Sequence, residues 1–224
     1  IRVGDFSGKP PEKKLPEEWE PFSFRNIERT THYELVRTNG RSVVEAVSRG
    51  SASALKREIT IDPRRFPIVR WKWKTMSILE KGDVTTRKGD DCPARLYVTF
   101  EYRPERVNLF EKTKYELIRL WYGRHPPLAT LTYVWSSNTP KGTMLPNPST
   151  DKAMTFVLES GPERLGEWVI EERNVYLDFR KAFGFDPPNI SGVAIMTDTD
   201  DTQGAAVAYY GDITFSAGNT DPTR

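Results

Sequence analysis

Along most of this chain apolar and polar positions alternate with a period of two. The clearest run is Ala94–Tyr102. Ala94, Leu96, Val98, Phe100 and Tyr102 fall on one side, and Arg95, Tyr97, Thr99 and Glu101 on the other. This predicts a strand with one face in a core and the other in water. Val69–Met76 repeats it, with Val69, Trp71 and Trp73 opposed to Arg70, Lys72 and Lys74. Further strands are predicted at Val3–Phe6, His32–Arg37, Arg41–Ser48, Ser51–Ile61, Leu131–Trp135, Ala153–Glu159, Glu167–Glu172, Val193–Thr197, Ala205–Tyr210 and Ile213–Phe215. Asn39-Gly40 stands between two alternating runs and predicts a tight hairpin.

Two segments break the pattern. In Leu109–Gly123, Tyr115, Ile118 and Trp121 recur at helical spacing, closed by Gly123 and Pro126-Pro127. A short helix is predicted at Leu177–Phe183, stopping at Gly184. Many short strands, 17 prolines and 15 glycines predict a mainly β fold: a two-sheet antiparallel jelly-roll β-sandwich with one or two short helices. Its terminal strands are expected side by side. There is no internal repeat and no linker, so residues 1–224 are read as one domain, with 1–21 an extended lead-in and 217–224 a tail.

Composition narrows the function. Lys and Arg number 33 against 31 Asp and Glu, a net charge of +2, which gives no basic stripe for nucleic acid. No run approaches the ~20 apolar residues of a membrane span. Cys92 is the single cysteine, so no internal disulfide forms, and it reads as a small buried residue. A removed leader is compatible with a chain that starts at Ile1, and the expected location is periplasmic or secreted in a bacterium.

Catalytic signals are poor. His32 and His125 lie in no metal-ligand spacing, and there is no Gly-x-Ser-x-Gly elbow, phosphate loop or dinucleotide fingerprint. Sandwich enzymes can act on polysaccharide with carboxylates alone, so Glu101 and Asp91 stay open as acid and base. The loop Asp198, Asp200, Asp201 offers oxygens to a hard cation such as calcium, or caps its own backbone as a solvated turn. It is not an EF-hand, because Gln203 and Tyr209 occupy the glycine and glutamate positions. Asp91, Arg95, Arg173, Asp198 and Asp200 form a candidate polar cluster that either orders loops or holds a sugar. Of the six tryptophans, Trp71, Trp73 and Trp135 share faces with apolar neighbours and read as core, while Trp19, Trp121 and Trp168 are less determined. Wet strand faces offer Lys72, Lys74, Arg95, Tyr97 and Glu101, a set suited to an acidic or hydroxyl-rich ligand.

Several motifs together carry a resemblance: Trp71-Lys72-Trp73, Gly82-Asp83, Gly89 through Arg95, Tyr133-Val134-Trp135, Trp168 through Arg173 to Asp178, Phe183-Gly184, Asp198-Thr199-Asp200 and Gly211-Asp212-Ile213. Over roughly residues 20–216 the chain resembles a bacterial family catalogued as domain of unknown function 3047, which implies an exported protein without an assigned activity. More distantly, Val3-Gly4-Asp5-Phe6, the Arg41–Ser48 strand and Gly211-Asp212-Ile213 resemble galactose-binding-like jelly rolls, which include carbohydrate-binding modules. That resemblance implies a structural calcium between the first and last strands. Asp5 and Asp212 match its places, and Ser7 stands where a glutamate is usual.

The favoured expectation is a non-catalytic exported domain that binds a carbohydrate or another cell-envelope component. Its expected ligand contacts are Arg95, Tyr97, Glu101, Lys72, Asp91 and Arg173. The expected metal ligands are Asp198, Asp200, Asp5 and Asp212, for calcium. A structural or interaction protein of the envelope is the first alternative, and a polysaccharide-acting enzyme using carboxylates the second.

Overall fold

The computed structural model describes residues 1–10, 15–106 and 127–218. Among the described residues, fourteen strands form two facing sheets. The first sheet holds β1 (Arg2–Gly4), β3 (His32–Thr38), β4 (Arg41–Arg49), β6 (Ile68–Thr75), β11 (Val169–Asn174), β13 (Ala205–Tyr210) and β14 (Ile213–Ser216). The second holds β2 (Glu20–Ser23), β5 (Ser53–Ile61), β7 (Ala94–Phe100), β8 (Ala129–Ser136), β9 (Met144–Pro146), β10 (Ala153–Ser160) and β12 (Ile190–Met196).

In the first sheet β6 is central. One edge pairs with β11. The other pairs first with β13 and then with β14, two parts of one strand interrupted at Gly211-Asp212. Beyond them lie β4, paired with β13, and β1, paired with β14. The terminal strands are therefore adjacent, as expected, with Arg2 opposite Thr214. The Asn39-Gly40 turn joins β3 to β4 with both residues at positive φ, 50° and 78°, as its twist requires.

The second sheet runs β2-β5-β12-β7-β8-β10-β9. It is antiparallel except at β8 and β10, which pair in parallel. Residues 137–152 make the crossover such a pair needs, and β9 lies outside β10 on the way. The single described α-helix, α1 (Val175–Phe183), is capped by Asn174, whose side chain accepts from Leu177 N–H, and ends on Gly184 at φ 78°. The predicted helix at Leu109–Gly123, with Trp121 and His125, lies outside the described residues. No described helix is long and apolar enough to cross a membrane.

The core fills the space between the sheets with the inward alternate residues. Trp71 and Trp73 meet edge to face at 5.4 Å, Trp71 packs on Tyr133 at 5.4 Å, and Trp73 on Trp135 at 6.4 Å. Such ring pairs add about 0.5–1.5 kcal/mol each to the apolar burial. Trp19 is buried against Phe6. The outer face of the second sheet is partly roofed by the chain itself. Val84 and Cys92 cover Val134 and Val157, while Phe24 and Ile27 cover Ala54 and Met196.

Candidate functional site

Arg95 points away from the core on β7, yet it is only 2% exposed, because residues 79–92 fold over it. Its guanidinium is bidentate to Asp198, Nε to Oδ1 at 2.8 Å and Nη2 to Oδ2 at 2.9 Å. It also donates to the Asp90 carboxylate at 3.0 Å and to the Asp90 carbonyl. Asp198 takes a third donor, the Cys92 N–H, at 3.1 Å. Burial raises the Asp198 carboxyl and Arg95 opposes this. Three donors on two oxygens fit the ionised form. Burial also pushes the Cys92 thiol up, which removes thiolate chemistry at neutral pH.

Asp91 lies beside this network and accepts from the N–H groups of Asp201 (3.3 Å) and Thr202 (2.6 Å), which fixes the turn after β12. Asp91, Asp200 and Asp201 place carboxylate oxygens within 4.8 Å of one another. Burial, then repulsion from Asp91 and Asp201, lifts Asp200 to about 6. The calcium set implied by the jelly-roll resemblance fits less well. Both oxygens of Asp212 accept from Ser7, from its N–H at 2.8 Å and its hydroxyl at 2.5 Å. Asp5 faces Arg2 at 3.4 Å. Asp212 also lies at the opposite end of β13 from Asp198 and Asp200. The chain's own donors and cations hold Asp5, Asp198 and Asp212.

The outer face of the first sheet is different. Strand registers align Lys74, Tyr209, Glu45 and Glu34 in one row across β6, β13, β4 and β3. Trp168, one residue before β11, falls level with Lys74. The next row toward the chain termini carries Ile170, Lys72, Gly211 and Val43. The Trp168 and Tyr209 rings lie 6.5 Å apart, edge to face, both partly exposed. The Lys72 ammonium sits 4.8 Å from the Trp168 ring centre, and that of Lys74 5.4 Å from Trp168 and 4.5 Å from Tyr209. Burial, followed by a hydrogen bond to Glu45, pushes the Tyr209 phenol up to about 12. Ile170 (58% exposed) lies on the same face, and Met76 (49%) at the end of β6.

Of the sequence-predicted contacts, Arg95 and Asp91 meet in the buried network. Tyr97 is half-buried under Phe24 and Ile27, with its hydroxyl 3.6 Å from Met196 Sδ. Glu101 sits near Asn189 and Arg103 at the far end of β7. Arg173 turns inward to Asp178, which also accepts from Tyr133. Lys72 alone of the six lies on the outer face of the first sheet. Trp168, a less determined tryptophan in the sequence, and Tyr209 are not among the predicted contacts, although parity holds the signal: Trp168, Ile170 and Glu172 alternate with the inward Val169, Glu171 and Arg173. A second cluster escaped notice at one edge of the sandwich. There Glu159 is bound by Lys141 (2.7 Å) and Arg164 (3.2 Å). Burial, ahead of the nearby Glu159, lifts Glu171 to about 7.

The family model for "Protein of unknown function (DUF3047)" matches residues 17–214. The chain belongs to this family. The match leaves out β1 and ends within β14, takes in the other described strands whole, and includes both the buried network and the outer face of β6. No curated protein matches the chain. Among solved structures, it is similar to the carbohydrate recognition domain of Emp47p, at 11% identity, over 97% of this chain and 95% of that one, with a TM-score of 0.46. A CBM4 structure is similar at 14% identity, 91% and 96% coverage and a TM-score of 0.38. Endoglucanase 3 of family GH12 from Trichoderma harzianum is similar at 8% identity, 92% and 100% coverage and a TM-score of 0.41. This member of the DUF3047 family is a mainly β, two-sheet sandwich.

Proposed function

We propose that this protein is a non-catalytic carbohydrate-binding domain that holds a glycan on the outer face of its first sheet. The observation that carries the reading is the Trp168–Tyr209 pair, partly exposed on a regular sheet face with two ammonium groups over the rings. A sugar ring offers a C–H face to an aromatic ring and hydroxyls to its surroundings. Tryptophan and tyrosine supply apolar area with a polar handle, and β-sheet rigidity holds the rings in place. The buried polar network contributes by locking the turn that leads into β13, not by touching ligand.

Binding of a polysaccharide panel by isothermal titration and affinity electrophoresis tests the reading. Trp168→Ala removes half the platform and should weaken binding about tenfold or more while leaving the circular dichroism spectrum intact. Wild-type protein that binds no glycan, or a Trp168→Ala variant that binds as well as wild type, would overturn it. The exposed Ile170 and Met76 favour a second reading, an envelope interaction domain docking a protein partner on this face. Ile170→Glu separates the two, since it abolishes protein docking more severely than stacking on Trp168. Both readings carry a location in the periplasm or outside the cell, which fractionation of the native host tests.

A further inference from the structure

Resting on the glycan-binding reading, we infer that the ligand is an acidic polysaccharide and that Lys72 and Lys74 read its anionic groups. These lysines share the outward parity of β6, so two strand rises put their backbones about 7 Å apart. Neither makes an ion pair among the described residues. Arg70, on the same strand, differs: it faces Glu172 at 3.9 Å. Of the two carboxylates in the same row, Glu45 is directed to the Tyr209 hydroxyl and Glu34 faces His32 at 3.7 Å. Among the described residues, the two ammonium groups are therefore held side by side against ring faces.

The backbone is shaped for this. The Lys72 stem lies across Gly211, where a Cβ would come within 2.4 Å of Lys72 Cε and 2.5 Å of its Cγ. A side chain at 211 would lift Lys72 off the sheet. With glycine there, the stem lies flat and the ammonium reaches Trp168. A sugar stacked on Trp168 and Tyr209 brings its substituents within reach of both ammonium groups. Carboxylate and sulfate both satisfy this geometry. A neutral sugar leaves the two charges uncompensated.

Four polymers form the test as two backbone-matched pairs that differ in charge: polygalacturonate with its carboxyl-reduced form, and dextran sulfate with dextran. The wild-type protein should prefer an anionic member over its neutral partner. Lys72→Gln/Lys74→Gln should lose roughly five- to thirtyfold in affinity for it, the worth of two partly exposed ion pairs. Preference for the polyuronate or for the sulfated polymer identifies the anionic group. Lys81→Gln/Lys88→Gln, at exposed positions on the 79–92 segment, should change the affinity less than twofold. Equal binding of charged and neutral polymers, no effect of Lys72→Gln/Lys74→Gln, or an equal loss in the Lys81/Lys88 variant would overturn the inference and leave glycan binding standing. Failure to bind any of the four, or any glycan of the wider panel, would remove both.

Discussion

Replacing Asp198 with alanine should unfold this protein more readily than any surface substitution, and the structure gives the size of the effect. Arg95 is 2% exposed and holds Asp198 through two parallel hydrogen bonds at 2.8 and 2.9 Å. Asp198→Ala leaves the guanidinium buried with only Asp90, whose side chain is 15% exposed, and leaves the Cys92 N–H without its acceptor. Removing one member of a buried pair costs about 3–5 kcal/mol, because the charge left behind is neither hydrated nor compensated. At about 2–4 °C per kcal/mol for a chain of this size, the melting temperature falls by about 6–20 °C. Urea unfolding followed by tryptophan fluorescence at pH 7 measures it, with the midpoint shifted and the slope unchanged. The partner variant Arg95→Met/Asp198→Leu removes both charges and should recover more than half of the loss, since apolar replacements of a buried pair are often near neutral. A loss below about 1 kcal/mol for Asp198→Ala would refute the account. So would a double variant no more stable than the single one, which would locate the cost in the turn rather than in the orphaned charge.

Other consequences are open to the same methods. Glu171 titrates near 7 in the folded protein against an ordinary 4.5, so the native state binds more protons than the unfolded chain across that window. Its stabilising contribution is full below about 4.5 and is lost as pH rises toward 7. Allowing for its partial exposure, the swing is about 1–2 kcal/mol. Glu171→Gln should raise the melting temperature at pH 8 and flatten its pH dependence; identical profiles for the two proteins would count against the assignment. Asp212→Ala removes both acceptors of Ser7 and should cost about 1–2 kcal/mol. Trypsin should then cut after Arg2 sooner than in wild type, and an unchanged digestion pattern would refute this. Trp168→Ala and Lys72→Gln/Lys74→Gln should leave urea stability within about 0.5 kcal/mol while reducing binding, which separates the outer face from the fold.

The strands with alternating burial were legible because alternation is itself the physics of a half-buried strand. Asn39-Gly40 announced its hairpin for a similar reason. What alternation cannot show is what covers a wet face. Arg95 has the parity of a solvent-facing residue, but the segment 79–92 folds back over it, so the expected ligand contact is a buried ion pair. β2 straddles the end of the predicted lead-in at residue 21, and Glu20-Pro21-Phe22-Ser23 carries no apolar period that marks a strand. β9 is three residues long and ends on Pro146, which suits an edge and gives almost no pattern. The parallel pairing of β8 with β10 depends on the path of the crossover, which local periodicity does not encode. The row Trp168–Lys74–Tyr209 was hidden because its members come from three separate strands. Only the register, fixed by Val169 opposite Trp73 and Tyr210 opposite Trp73, sets them level.

That register also explains why one face of the sandwich is the candidate and the other is not. A sheet in a two-layer fold has one face committed to the core and one at its disposal. The second sheet uses part of its spare face to dock its own chain: Val84 and Cys92 lie on Val134 and Val157, and Phe24 and Ile27 lie beside Met196. The first sheet keeps Trp168, Tyr209, Ile170 and Lys72 outward. Full burial of a large side chain stabilises a fold by about 1.5–3 kcal/mol relative to exposure. Holding Trp168 and Ile170 at a wet surface forgoes part of that stabilisation, and the described core, with Trp71, Trp73 and Trp135 stacked at its centre, has no need of it. Apolar area withheld from folding is recovered only when something else covers it. Because the Lys72 and Lys74 ammonium groups, which make no ion pair among the described residues, stand within about 5 Å of the rings, an apolar partner would have to strip water from both, whereas an acidic sugar compensates the charges and covers the rings in one contact.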